Sequence, residues 1–444
     1  MKEKVGGFGN FIERKLLPVA DKFSRQRYLT ALRDGMLAYL PFTIISSIFL
    51  IIAFLPIPGY SEFMTNLFND GGAWVGKLVY VTNSTNDVAG FFVLFATAYS
   101  LAKSYNVDKL QASLTALAAF LVVTPYISGD AGTAIPMVKV GAQAMFVAFI
   151  VATVSVEIYR RMEQKGIVIK MPDAVPPAVA KPFASLVPAF VTILVFWIVR
   201  VIFDVALNSD LFTTINLIIG KPLLLLGGSL GGFVFALLFE QFLWFFGIHG
   251  GSIVSSGAMN PIWTMLEDAN RVASIAGEAP VNIIGSSFRT AFASIGVVGC
   301  VIAMVIVAKS KQYKEVGKVG LVPYCFNIGE PVLFGVPLML NPIYFIPLVI
   351  TPAVSSLIAY AALAFKLVPI PTGLAQLPWT TPPIISGYLV TGSISGSILQ
   401  IVLLVVATLI WLPFVKIADK QIYAAEQKRE MEMRGTSRCG SISM

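Results

Sequence analysis

Apolar runs long enough to cross a bilayer recur from one end of this chain to the other, and no other feature limits its fold as strongly. About 20 residues in a helix rising ~1.5 Å each span roughly 30 Å of hydrocarbon. Nine stretches reach that length, over 28–54, 73–102, 109–128, 137–159, 183–206, 222–248, 283–308, 341–365 and 388–414. Runs of this kind read as helices, because the strands of a membrane barrel give short alternating segments. The composition agrees, with 56% hydrophobic residues against 13% charged and a mean hydropathy of +0.79. An all-α integral membrane protein is expected. The first run is too long for a signal-peptide core and lacks a small-residue exit, so no cleaved signal is expected. Residues 1–27 read as an amphipathic segment lying on the membrane face.

Orientation follows from positive charge, which cytoplasmic loops retain. Lys and Arg gather before residue 34, at Lys103 and Lys109, between Arg160 and Lys181, between Lys309 and Lys318, and from Lys416 onward. Both termini are therefore placed in the cytoplasm, which requires an even number of crossings. Nine is odd, so a less apolar stretch must also cross, or several must enter and return. Three stretches in the second half are too polar or too interrupted by Gly and Pro for a lipid-facing helix: 249–282, 321–338 and 367–387. Irregular backbone at membrane depth is tolerated where protein or a wet cavity satisfies it, and such elements line substrate sites in transporters. The chain divides accordingly into an N-terminal half (1–209) of regular spans, a C-terminal half (210–420) holding the broken segments, and a polar tail (421–444) expected to be mobile.

Ionisable groups inside spans are costly unless they face a cavity or a partner. Those that pass this filter are Asp87, Glu240, His249, Arg289 and Glu330, with the amides Asn83, Asn86, Asn260 and Asn327 beside them. Glu330, bracketed by Gly329 and Pro331, is presented from a turn; it either caps a half-helix or receives hydrogen bonds from a polyol. His249 is the chain's one histidine, set among Gly247, Gly250 and Gly251 and followed by Ser252, Ser255, Ser256 and Asn260. Its readings are a hydrogen-bonded core residue or a group that exchanges a proton near neutral pH. Trp379, among Pro378, Pro382 and Pro383, offers a flat ring to the C–H face of a sugar or simply packs, and Trp244 is left between the same readings. Arg289 either belongs to the site or snorkels to the surface. In NSTND, Asn83, Asn86 and Asp87 are expected on one side of a helix, facing a cavity or joining two helices.

With one histidine, and with Cys300, Cys325 and Cys439 scattered, no metal site or disulfide framework is expected. The sequence carries no nucleotide-binding loop, dinucleotide fingerprint or nucleic-acid module. No cofactor is expected, and the net charge of +8 is accounted for by topology. Any nucleotide-driven chemistry must involve another chain.

The pair GEPVLFGVPLMLNP and FGIHGG, set in a chain that opens ERKLLPVADKFSRQRYLTALRDG, resembles the sugar-translocating IIC component of the bacterial phosphoenolpyruvate-dependent phosphotransferase system, in its lactose, cellobiose and diacetylchitobiose branch. The resemblance implies a homodimer of subunits with about ten transmembrane helices, dimer contacts in the N-terminal half, and re-entrant hairpins holding a disaccharide in the C-terminal half. It implies inward carriage of the sugar and phosphorylation of its 6-hydroxyl by a phosphocysteine on a partner IIB protein, expected to be a separate chain. Glu330 and His249 match the family's buried Glu and His near that hydroxyl, with Trp379, Asn327, Arg289, Asn86, Trp244 and Asn260 expected along the sugar. Cellobiose or diacetylchitobiose is the expected substrate. The rival from another class is an ion-coupled secondary transporter in which Glu330 and His249 relay protons and the sugar is unchanged. A membrane scaffold is disfavoured, since it has no need of broken intramembrane segments.

Overall fold

The computed structural model describes residues 26–55, 57–129, 132–172, 175–247, 249–327, 332, 336, 338–339 and 341–440, the side chains of residues 177 and 432–440 excepted. Glu330 and its immediate neighbours in the GEP motif lie outside the described residues. Among the described residues six helices are long and apolar enough to cross a membrane, or up to seven if a pair bent by 75° is one span. The chain forms two compact units, Met1–Ala236 with Gly251–Ser286 and Gly373–Gln376, and Leu237–Gly250 with Ser287–Thr372 and Leu377–Met444.

The first unit opens with α1 (Arg27–Ala53), capped by the Gln26 side chain, and the short α2 (Tyr60–Phe68). The run expected over 73–102 is instead two helices, α3 (Trp74–Asn83) and α4 (Ala89–Ser104), joined by a 3₁₀ turn at Asn86–Val88. Five consecutive polar residues compete locally for backbone hydrogen bonds, and Thr85 leaves the helical region at φ −124°, ψ −73°. Asn83 is exposed and Asn86 buried, so the expected shared helix face is corrected. The next run stops early: α5 (Lys109–Val123) ends before Thr124-Pro125, because a proline drives the preceding residue out of helical conformation. A small antiparallel hairpin follows, Ile127–Gly129 against Gly132–Ala134, the one departure from an all-helical plan among the described residues.

After it come α6 (Met145–Gln164) and α7 (Pro177–Ala206). The centre of this unit is built on small residues: Ala98 and Ala102 of α4, Ala112, Ala116 and Ala119 of α5, and Ala148 and Ala152 of α6 have no exposed surface. With water absent, helices associate through such close van der Waals contact. Gly35 of α1 packs so closely on Thr97 of α4 that a Cβ would collide. In contrast only 17% of the apolar window of α7 is buried, leaving Phe190, Trp197 and Ile202 exposed as a lipid-facing side.

The 222–248 run becomes a bent pair. A helical stretch made of α8 (Leu211–Ile215), a π turn and α9 (Lys221–Gly227) meets α10 (Leu230–Phe245) at 75°. Irregular backbone expected from residue 249 is also corrected over most of its length. Four residues of α11 (Gly250–Ile253), a π turn at Val254–Met259 and α12 (Asn260–Ile275) form one continuous helical run, with non-helical backbone only after it. Pro261 lies inside this run and withholds an N–H from the ladder two residues after the π turn, so the run is irregular at that point even though it is continuous.

The second unit holds α13 (Ser286–Phe288) with a π stretch Arg289–Ala293, then α14 (Val298–Val307), α15 (Lys311–Tyr324), α16 (Pro342–Ala364), α17 (Ile385–Thr391) and α18 (Ile394–Gly440). Pro347 and Pro352 interrupt the ladder of α16, and the hydroxyls of Thr351 and Ser356 bond back to their carbonyls at 2.5 and 2.7 Å. Gly299 of α14 lies directly on the backbone of Ala407 and Thr408. The stretch 367–387 is irregular as expected as far as Ile384, entered at Lys366 (φ 59°) and left at Ile384 (φ 76°), whereas 385–387 already belong to α17. As far as Gly440 the tail expected to be mobile is instead the continuation of α18, 47 residues long, whose polar part is held by capping contacts to α15, and 441–444 lie outside the described residues.

Candidate functional site

Within the second unit, α10 sets Glu240 and Trp244 one turn apart on the same face. The Glu240 carboxylate is buried and accepts a 2.6 Å charge-assisted bond from Nη2 of Arg289. Arg289 begins a π-helical stretch, a local widening that often marks functional positions. The snorkelling alternative for Arg289 is thereby corrected, because its charge is spent on a buried carboxylate 49 positions away in sequence. Past the end of α10 the chain reverses at Gly247, φ 78°, a conformation that suits glycine. Gly250 then rests on the Glu240 carbonyl so closely that any Cβ would collide. Between these glycines the exposed His249 imidazole lies over the Trp244 indole, ring centres 4.2 Å apart and tilted by 45°. The glycines around the histidine thus serve one end: Gly247 turns the chain and Gly250 lets it approach α10 closely, which brings the His249 ring onto Trp244.

A second arrangement lies in the same unit. Asn327, in the left-handed region at φ 58°, donates from Nδ2 to the carbonyls of Trp379 and Thr381 at 2.8 and 3.0 Å. Its amide nitrogen is therefore a brace for the Trp379 turn, leaving the indole itself 50% exposed. Asn327 stands two residues before Gly329 of the GEP motif in sequence.

Sequence reasoning missed Gln400. Buried in α18, its Oε1 accepts from the N–H of Ile384 and Gly387 at 2.6 and 2.7 Å. Its Nε2 donates to the carbonyl of Ala291 and the hydroxyl of Ser386 at 2.7 and 2.8 Å. Four bonds use the amide's full capacity and join three segments: the π stretch that begins at Arg289, the turn at 384–387 and α18. The available signal was the one amide inside the run LQIVLLVVATLIW, overlooked because, unlike the amides named above, it has no ionisable residue or broken segment beside it.

The first unit holds the remaining predicted residues. Asn86 is buried, and its Oδ1 accepts from the Tyr39 hydroxyl at 2.9 Å. Its neighbour Asp87 pairs with Arg271 of α12, whose guanidinium also binds Asp268 at 2.8 and 2.9 Å. Arg271, Glu267 and Asn270 are all buried and none was singled out from sequence, because EDANR reads as an ordinary solvated helix face. Asn270 locks the turn after α12 through Val281, Asn282 and the Asn282 carbonyl. Asn260 sits half-buried at the start of α12, 3.5 Å from the Thr264 hydroxyl. The predicted residues thus fall into two sets: His249, Trp244, Arg289, Asn327 and Trp379 in one unit, Asn86 and Asn260 in the other.

A recess of about 540 Å³ in the first unit, lined by Phe42, Phe92, Phe95 and Leu121 among others, has an almost wholly apolar wall. It is unsuited to a sugar, whose hydroxyls need hydrogen-bond partners. Among the described residues no group of three or more His, Cys, Asp or Glu is placed to hold a metal ion.

Comparison with known proteins fixes what this scaffold is. The sequence model of the family described as "Phosphotransferase system, EIIC" matches residues 33–352. The chain is 43% identical to the cellobiose-specific EIIC component of a phosphotransferase system from Geobacillus stearothermophilus, covering 95% of this chain and 96% of that protein. It is 42% identical to the lichenan permease IIC component of Bacillus subtilis (strain 168), covering 95% of each. Among solved structures it is similar to the transporter ChbC, the IIC component from the N,N'-diacetylchitobiose-specific phosphotransferase system. There the identity is 42%, the coverage 94% of this chain and 99% of that one, and the TM-score 0.89. Likeness of this extent, running through nearly the whole of each chain, means that this protein belongs to the EIIC family, the membrane-embedded sugar permeases of the phosphotransferase system.

Proposed function

We propose that this permease binds a disaccharide of the cellobiose or diacetylchitobiose type, carries it inward, and presents its 6-hydroxyl to a phosphorylated IIB protein. The observation that carries this reading is the near full-length likeness to a diacetylchitobiose IIC structure and a cellobiose-specific EIIC component, at 42% and 43% identity. About ten spans with re-entrant hairpins in the C-terminal half, cytoplasmic termini and a homodimer belong to the same proposal. So does the division at residues 209 and 420, with sugar contacts concentrated in the second part.

The chemistry assigns little covalent work to this chain. The sugar 6-oxygen attacks the phosphorus of the IIB phosphocysteine, an O–P bond forms, the S–P bond breaks, and the thiolate leaves. The hydroxyl proton passes to the Glu330 carboxylate, while His249 orients the hydroxyl or shares that proton. The contact of the His249 ring with Trp244, 4.2 Å between ring centres, supports a role in orienting that hydroxyl. Trp379, exposed on a turn braced by Asn327, supplies a face for the sugar's C–H surface. Arg289, Asn86 and Asn260 complete the proposed contacts.

Vesicles containing the protein, supplied with phosphoenolpyruvate, the general phosphotransferase proteins and IIB, are expected to accumulate sugar phosphate. Accumulation of free sugar, independent of IIB, would select the ion-coupled alternative. Glu330→Gln and His249→Ala are each expected to lower coupled phosphorylation by roughly 10²–10⁴-fold, the range typical of a lost acid–base group. Ordinary phosphorylation by either variant would remove the role assigned to that residue.

A further inference from the structure

The break between α3 and α4 is held by a device that the reading above does not use. Asn86 is 2% exposed, its Oδ1 is engaged by Tyr39, and its Nδ2 is buried with no hydrogen-bond partner among the described residues. A buried donor left unmet is costly, so an amide held this way is either a defect or a group kept ready for an acceptor. The next residue, Asp87, is fastened to Arg271 of α12. Arg271 is itself oriented by a second carboxylate on its own helix: Asp268 receives both Nε and Nη2, at 2.9 and 2.8 Å. The backbone of α12 at this point is fixed in turn by Gly373, φ 73°, whose Cα lies against the Glu267 carbonyl and the Arg271 N–H with no room for a side chain. On the other side of the 3₁₀ turn, Gly141 abuts the Asp87 carbonyl, and the Gly90 N–H donates to the Val140 carbonyl at 2.7 Å.

We propose that Arg271 is a positioning residue for sugar binding, which by fastening Asp87 to α12 sets the 3₁₀ turn so that the Asn86 amide nitrogen is held toward a sugar hydroxyl. The inference rests on the reading of Asn86 as a sugar contact and adds what holds it. Geometry favours arginine for this task. A planar guanidinium donates to two carboxylates in fixed directions, whereas an ammonium would hold Asp87 without fixing the angle of the turn. Two carboxylates also compensate the burial of the guanidinium. A helix that simply ran through residues 84–88 would need no such fastening, and Asn86 would then rotate with the helix.

The test is a double-mutant cycle on the purified full-length protein in detergent. Equilibrium binding of cellobiose and of N,N'-diacetylchitobiose is measured, using whichever the wild type binds more tightly. Asn86→Ala is expected to weaken binding about 10-fold, the worth of one hydrogen bond to a hydroxyl in a dry site. Arg271→Lys keeps the charge and is expected to weaken binding by a similar factor. In the Arg271→Lys background, Asn86→Ala should then cost less than about 3-fold, because the two changes remove the same contact. Asp87→Asn should reproduce the Arg271→Lys result, which keeps the test sound if one variant folds poorly by size-exclusion profile. If the two effects multiply, Arg271 only stabilises the fold and the proposal is overturned. If Asn86→Ala alone leaves binding unchanged, the reading of Asn86 as a sugar contact fails first, and that outcome is distinct.

Discussion

At the scale of single residues, Glu240 and Gln400 are buried polar groups committed to named partners, so removing one partner is predicted to cost more than the contact itself is worth. Glu240→Gln would leave the half-buried Arg289 opposite a neutral amide. Breaking a buried pair in this way typically costs about 3–5 kcal/mol, so a clear fall in thermal midpoint in detergent is expected. A variant that melts like the wild type would show that the guanidinium has another anchor. Gln400→Leu matches the hydrophobicity of α18 yet strands the N–H groups of Ile384 and Gly387 and the carbonyl of Ala291. At about 1–3 kcal/mol for each unmet group it should be markedly destabilising despite its apolar character. Gln400→Glu should lie between, since both N–H groups keep an acceptor while the Ala291 carbonyl then faces an oxygen. What sequence could reveal at this scale was which residues are out of place in an apolar run. Glu240, Arg289, His249 and Asn86 were all visible on that criterion. Their pairing was not, because Arg289 finds Glu240, and Arg271 finds Asp87, across 49 and 184 positions.

At the scale of elements, the polar end of α18 was misread because it lacks an apolar stripe, the usual sign of a docked helix. Its acidic residues act instead on the first turn of α15, whose N–H groups have no partners within the helix. Asp419 accepts from the N–H of Lys309 and Ser310 at 2.7 and 3.0 Å, and Glu426 from those of Lys311 and Gln312 at 2.9 and 3.1 Å. Negative charge at a helix start is favoured by the dipole as well as by these bonds. Glu430 adds a 2.7 Å bridge to the Lys311 ammonium. Truncation after Ala425 should therefore speed amide hydrogen exchange at Lys311 and Gln312 by about 10-fold or more, the worth of one cap. Exchange at Ser310, still held by Asp419, should stay slow. Equal acceleration at all three would mean that the truncation unravels α18 as a whole. The breaks were easier to read than the caps. Pro, Gly and clustered Asn/Ser/Thr act within a few residues of themselves, so NSTND, Thr124-Pro125 and 367–387 carried local signs of interruption even where the expected run ignored them.

At the scale of the whole molecule, the decisive quantity is the parity of crossings, and it localises to one interval. Lys165 and Lys311 both sit in basic stretches that the charge rule places in the cytoplasm. Between them lie α7, the bent pair 211–245 and the helical stretch Ser286–Val307, which make three crossings if each spans once. Three would put Lys311 on the opposite side from Lys165. On the proposed topology the missing passage is assigned to the continuous run Gly250–Ile275, roughly 39 Å long at ~1.5 Å per residue and therefore long enough to traverse hydrocarbon even when tilted. Its buried Glu267, Asp268, Asn270 and Arg271 explain why hydropathy overlooked it: a helix that keeps its charges against protein need not be apolar to lie at membrane depth. Single cysteines at Lys165, Lys311 and Glu278, introduced after replacing Cys300, Cys325 and Cys439 with serine, test this directly with a membrane-impermeant thiol reagent on intact cells and on inverted vesicles. Cysteines at 165 and 311 should react only in inverted vesicles. Reaction of the two from opposite sides would mean that the Gly250–Ile275 run enters and leaves by the same face, and the ten-span count would then have to find its tenth crossing elsewhere in the chain. The cysteine at 278 follows that run directly. It should share the side of 165 alone, opposite 311, if the run enters and leaves by the face from which it started, and lie opposite both if the run traverses.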